Sequence, residues 1–163
     1  MLILRPTIAI AKRLKLQLNR GLIHLNTTPA ADWTLMEFKA PRGRYIMATN
    51  TPSLLSVMFS ARKMGTEELF LRHLFSAMSE QLAHFGFAGQ FATYIQPQLG
   101  TVGYERLENR SVRGSILDLQ NQAWFHFLDG EINIPEMMLQ INKSPMSILN
   151  MDSPLRRFPQ LCS

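Results

Sequence analysis

LENRSVRGSILDLQNQAW, the segment from Leu107 to Trp124, separates a strand-rich part of the chain from shorter packing segments. Asn109 and Ser111 carry short polar side chains that accept hydrogen bonds from the free N–H groups of a first helical turn. Apolar residues then recur at three- and four-residue spacing, which places them on one helix face. They are Val112, Ile116, Leu119, Ala123 and Phe127. The pattern predicts a capped helix that ends near Leu128.

The start of this helix is the candidate functional site. A helix start offers free N–H groups and the positive end of a dipole, both of which favour a phosphate or carboxylate. Gly114 removes a side chain where a ligand or another backbone could approach. The anion-binding residues that we predict are Asn109, Arg110, Ser111, Arg113 and Ser115. The alternative is an ordinary helix cap with solvent-exposed arginines.

Composition predicts one globular domain. The 163 residues are 46% hydrophobic and 18% charged, values typical of a folded domain with a substantial core. The single cysteine, Cys162, excludes an intramolecular disulfide and fits a reducing cytoplasm. No apolar run approaches the roughly 18 residues that a membrane helix needs. We therefore expect a cytoplasmic protein with no membrane partner.

Charge is distributed unevenly along the chain. Residues 1–65 contain ten Lys and Arg against two acids, whereas residues 66–163 contain seven against ten. A basic half is typical of a surface that binds nucleic acid or an acidic protein, and it can also serve only for solubility. Nucleic acid or an acidic protein is therefore the predicted partner.

The first 25 residues predict a short strand followed by a helix. Met1–Leu4 is an apolar strand, and Thr7 can cap a helix from Ile8 to about Leu18. Asn19-Arg20-Gly21 would end that helix. A further strand is expected from Gly21 to Leu25.

The next segment predicts an antiparallel meander. Trp33–Lys39 and Tyr45–Thr49 flank the turn Pro41-Arg42-Gly43, which indicates a hairpin. Leu54–Phe59 is a continuous apolar run suited to a central strand. The fold class is therefore α+β, a single domain with a mainly antiparallel sheet packed against helices.

The remaining chain predicts helices. Thr66 begins a long amphipathic helix that reaches Gly86, and Ala88–Ile95 and Pro135–Ile141 predict shorter ones, with a strand from Gly100 to Leu107 between them. The single domain 1–163 is thus divided into a basic strand-rich part at about 1–65, a helix-rich part at about 66–150 and an extended tail.

No complete catalytic or metal-binding motif is present. His73 and His84 share a helix face but would stand about 16 Å apart, too far for one metal. Asp118 and His126 could supply an acid and a base, although two helical turns separate them. We therefore predict no cofactor and no metal.

Three groups of residues resemble a known family. They are Met1-Leu2-Ile3-Leu4-Arg5, then Asn109-Arg110-Ser111-Val112-x-Gly114-Ser115, and Ile141-Asn142-x-x-Pro145-Met146. In this order they resemble a small bacterial family, catalogued only as a domain of unknown function, whose members are also met on plasmids and other mobile elements. The resemblance implies a single α+β domain and implies no activity.

These observations favour a non-enzymatic binding or accessory module for an anionic partner. One alternative is a small enzyme acting on a phosphorylated or nucleotide substrate, in which Asn109, Arg110 and Ser111 bind the anion and Asp118 or His126 transfers the proton. The other is a structural or self-associating protein, such as a homodimer.

Overall fold

The computed structural model describes residues 1–19, 28–62, 64–130 and 133–162 and shows one α+β domain built on a five-stranded sheet. The strands are β1 (Leu2–Pro6), β2 (Asp32–Ala40), β3 (Gly43–Asn50), β4 (Ser56–Ser60) and β5 (Val102–Tyr104), in the order β4-β3-β2-β1-β5. The helices are α1 (Ile8–Arg13), α2 (Glu67–His84), α3 (Ala88–Gln90), α4 (Arg110–Leu128), α5 (Ile134–Ile141) and α6 (Pro154–Arg157). The predicted fold class is confirmed.

Helices cover both faces of the sheet. Tyr45 stacks on Phe127 of α4 with ring centroids 4.6 Å apart. On the next strand, Phe59 contacts Phe70 of α2 at 6.1 Å. Because Phe59 is paired with Ile46 rather than with Tyr45, it points to the opposite face. The core therefore lies in two layers, with α4 on one side of the sheet and α2 on the other.

The predicted meander is confirmed, with a correction to its third strand. β2, β3 and β4 are antiparallel neighbours, and Ala40 lies opposite Gly43 at the hairpin turn. The run Leu54–Phe59 was expected to be central, yet β4 is an edge strand. It is buried like a central strand because α2 and α5 pack against it. A continuous apolar run therefore does not distinguish an edge strand covered by helices from a strand in the middle of the sheet.

β1 lies inside the sheet and is parallel to both of its neighbours, β2 and β5. The sheet is therefore mixed, although its longest pairings are antiparallel. The strand predicted from Gly100 to Leu107 forms only over Val102–Tyr104.

α1 begins at its predicted cap, Thr7, but ends at Arg13 and not near Leu18. Lys15 adopts a left-handed conformation at φ 55°. The N–H of Leu16 bonds to the carbonyl of Ala11 at 2.8 Å and that of Lys15 to Lys12 at 3.3 Å, which together form a Schellman motif. The strand expected over 21–25 lies outside the described residues.

The starts of the other predicted helices are confirmed, except that the helix predicted from Pro135 begins one residue earlier, at Ile134. Thr66 caps α2, and Asn133 caps α5. The segment after Ala88 continues from α3 into a π-helical turn, Phe91–Ile95, and a 3₁₀ turn that contains Pro97.

The tail is helical rather than extended. α6 begins at Pro154, for which Ser153 provides the cap, and a 3₁₀ turn follows from Phe158 to Cys162. Phe158 is fully buried and lies 5.4 Å from the ring of Phe87. Two prolines suggested an extended chain, but a proline in the first helical turn loses no hydrogen bond.

Candidate binding surface

The first turn of α4 is formed as the sequence predicts. The side chain of Asn109 accepts hydrogen bonds from the N–H groups of Ser111 at 2.9 Å and Val112 at 3.1 Å. The hydroxyl of Ser115 donates to the carbonyl of Ser111 at 2.9 Å. Asn109 therefore caps the helix and the Ser115 hydroxyl is bonded within it, and the cap already satisfies two of the N–H groups that an anion would use.

Arg110 and Arg113 are exposed, so their guanidinium groups are the part of the predicted site that faces solvent. Arg113 lines a groove between α1 and α4, which we call the β2 groove. Its volume is about 460 Å³. The lining residues are Thr7, Ala9, Met36, Glu37, Phe38, Lys39, Arg44, Arg113 and Leu117.

The β2 groove is basic. Lys39 and Arg44, which are cross-strand partners, contribute positive charge together with Arg113. The acid in this lining is Glu37, and it accepts two hydrogen bonds from Arg13 at 2.8 and 3.3 Å. Arg44 lies 3.9 Å from the same carboxylate, a weaker contact. A positive surface therefore surrounds a carboxylate that Arg13 already neutralises.

Asn109 also borders a second cavity of about 370 Å³, lined in part by Arg5, Asp32 and Thr51. Arg5 donates two hydrogen bonds to Asp32, both 2.9 Å, and a third to the carbonyl of Arg106 at 3.2 Å. These hydrogen bonds to Asp32 raise the pKa of Arg5, in opposition to its burial. Thr51 donates to the same carboxylate at 2.7 Å. These groups are bonded to one another, so they hold strands together more than they offer contacts to a ligand.

The proposed acid and base do not join the arginines. Asp118 is exposed, and His126 is half-buried near the far end of α4. Seventeen residues of helix place His126 about 25 Å from Asn109 along the helix axis. His84 contacts Glu136 of α5 at 3.0 Å. The pKa of Glu136 is lowered mainly by a hydrogen bond from Gln140 and secondly by this contact with His84. In the described ranges no three His, Cys, Asp or Glu side chains form a metal-binding group.

Lys39 and Arg44 line the groove but were not predicted as site residues from the sequence. The sequence places Arg44 beside the hairpin turn, and the hairpin register alone would have paired it with Lys39. That α4 delivers Arg113 to the same place depends on tertiary packing, which carries no local signal. The same holds for the contact between Arg5 and Asp32.

α4 also presents large apolar side chains to solvent. Phe125 is 61% exposed, Leu128 57%, Leu117 49% and Trp124 38%. Several large exposed apolar side chains on one helix are typical of surfaces that contact another protein.

The fold and surface define a single-domain α+β protein with a basic groove along its sheet. The chain belongs to the family described as Domain of unknown function (DUF6933), whose model matches residues 3–157. This confirms the resemblance seen in the sequence, whereas an origin in bacteria or mobile elements stays a prediction. No curated protein and no solved structure matches the chain. Among the described helices, none is long and apolar enough to cross a bilayer.

Proposed function

We propose that this protein is a non-enzymatic binding module that engages an anionic partner through Arg110, Arg113 and the β2 groove. The observation that supports it most directly is the meeting of Arg113, Lys39 and Arg44 around one groove. These cations come from parts of the chain about 70 residues apart in sequence, so their proximity is a product of the fold.

The electrostatic argument favours an anion. Like charges in one groove repel each other, and a bound anion relieves that repulsion while it gains Coulomb attraction. The acid within the lining is already paired with Arg13, so it weakens the attraction little. Binding of this kind weakens as salt screens the charges.

The proposal is tested by titrating the protein with single-stranded DNA, double-stranded DNA and polyglutamate at increasing KCl concentration. We expect at least one probe to bind with an affinity that falls as the salt concentration rises. The double variant Arg110→Ala, Arg113→Ala should bind that probe more weakly than the native protein. For DNA, each lost phosphate contact lowers the slope of log affinity against log salt by about 0.9. Arg72→Ala with Arg156→Ala removes the same charge from other exposed positions and is the matched control. Absence of binding to every probe at low salt would refute the proposal.

A second candidate function, self-association, is favoured by the exposed apolar side chains of α4. A second copy of the chain would cover Trp124, Phe125 and Leu128. Sedimentation equilibrium should then show a dimer that Phe125→Glu disrupts. If the protein is still a monomer at concentrations about 100-fold above those used in the binding titration, self-association is contradicted.

A further inference from the structure

The edge of β2 beyond β1 is open. β1 pairs with β2 from Asp32 to Leu35 and the chain then turns into α1, whereas β2 continues to Ala40. Thr51 donates its N–H to the carbonyl of Asp32, so the even-numbered residues of β2 exchange hydrogen bonds with β3. The odd-numbered residues face the other way, as the bond from Thr7 to the carbonyl of Leu35 shows.

The backbone N–H and C=O groups of Glu37 and Lys39 therefore point into the β2 groove. Within the described part of the chain, no backbone hydrogen bond reaches these four groups. Two backbone donors and two acceptors are aligned at the spacing of a strand, between α1 and α4.

The opposite edge of the sheet is treated differently. The outward N–H and C=O of Met58 are bonded to the side-chain amide of Gln81 at 3.0 and 2.7 Å. Those of Ser56 are bonded to Asn142, both at 2.9 Å. Buried amides thus close β4 against further strand pairing, whereas the edge of β2 has no such closure among the described residues.

The groove walls indicate the chemistry of a guest strand. Phe38 lies on the sheet face that α4 covers, next to the exposed Leu117. Lys39 and Arg44 lie on the other face, because side chains alternate along β2. A strand beside β2 would therefore place one set of alternate side chains near Phe38 and Leu117, on the wall that also carries Arg113, and the other set near Lys39 and Arg44. Apolar side chains suit the first set and acidic ones suit the second.

We propose that the β2 groove binds an extended segment of a partner protein, with alternating acidic and apolar residues, which adds a strand to β2. Backbone hydrogen bonds to Glu37 and Lys39 supply affinity, and the two walls supply specificity. The inference rests on the proposed function and specifies its partner as a protein segment instead of nucleic acid.

The probe is a fluorescein-labelled octapeptide of alternating valine and aspartate, measured by anisotropy. In a strand the N–H groups of valine point to one edge and those of aspartate to the other. Two further peptides carry N-methyl groups on all valines or on all aspartates. We expect one methylated peptide to bind about tenfold more weakly and the other to bind within about twofold of the parent, because only one edge faces β2.

Amide hydrogen exchange locates the contact. The amides of Glu37 and Lys39 should exchange more slowly with peptide bound, whereas the amide of Phe38, already bonded to β3, is the internal control. Equal binding of both methylated peptides, or binding of DNA without binding of the parent peptide, would overturn strand addition and leave the anion-binding function intact. If neither peptide, polyglutamate nor DNA binds, both proposals fail.

Discussion

The ionisation of Tyr104 makes the stability of the fold depend on pH in the alkaline range. Burial of its hydroxyl, followed by a hydrogen bond to Glu67 at 2.8 Å, raises the pKa of Tyr104 well above its ordinary value. A raised pKa in the folded state stabilises the fold below the pKa of the unfolded chain, about 10, and this contribution is lost as pH rises above it.

We therefore expect the stability advantage of the native protein over Tyr104→Phe to shrink above about pH 10, by at most about 1.4 kcal/mol per pH unit. Urea unfolding of both proteins from pH 8 to 11 measures it. A difference that stays constant over this range would show that the tyrosine does not titrate differently in the two states.

Gly114 was expected to allow a close approach, but a Cβ added there would meet no described atom within 4 Å. Gly114→Ala should therefore stabilise the protein by roughly 0.5–1 kcal/mol, because alanine has the higher helix propensity. Gly43 is the contrasting case, since its φ of +153° is unfavourable for alanine. Thermal unfolding should move upward for the first variant and downward for the second; a loss of stability in Gly114→Ala would mean that the site is crowded.

Among the elements, β4 depends on α2 and α5 for its outward hydrogen bonds. Gln81→Met keeps the size of the side chain but leaves the N–H and C=O of Met58 buried without a partner. Each unsatisfied backbone group costs roughly 1–3 kcal/mol, so we expect a loss of about 2–4 kcal/mol.

The matched control is Gln140→Met, an exposed amide on α5. It should change the free energy of unfolding by less than about 0.5 kcal/mol. Chemical denaturation measures both variants. A comparable, small change in the two would indicate that water replaces the lost amide of Gln81.

Local signals predicted the starts of elements better than their ends or positions. The caps Thr7, Thr66 and Asn109 are recognisable because one side chain satisfies nearby N–H groups. The end of α1 was missed because Lys15 takes a left-handed conformation that usually belongs to glycine or asparagine. The candidate site was predicted only where it lies on one helix.

At the scale of the molecule, Arg5 joins segments distant in sequence. It bonds to Asp32 on β2 and to the carbonyl of Arg106 after β5. We expect Arg5→Ala to cost about 2–4 kcal/mol, because the buried carboxylate of Asp32 then loses its cationic partner, although it keeps the hydrogen bond from Thr51.

Arg13→Ala provides the comparison, since Arg13 also makes two hydrogen bonds to a carboxylate but is 40% exposed. Its loss should cost at most about 1 kcal/mol. Equal losses measured by urea unfolding would contradict the distinction between the two ion pairs.

The hairpin could be predicted because its strands are adjacent in sequence, whereas the place of β1 could not. Its neighbours, β2 and β5, come from residues 32–40 and 102–104. No pattern within Met1–Pro6 specifies which distant strands it joins, and long-range packing likewise brings Lys39 and Arg113 to one groove.

The central position of β1 also has a consequence for synthesis on the ribosome. The strand made early cannot gain both of its neighbours until Tyr104 has emerged, roughly 100 residues later. The β2–β4 hairpins can pair well before that, since their contacts are local. During translation, β1 therefore stays without one of its neighbours beside the β2–β4 meander, and the last sheet contact forms only when Tyr104 is outside the exit tunnel.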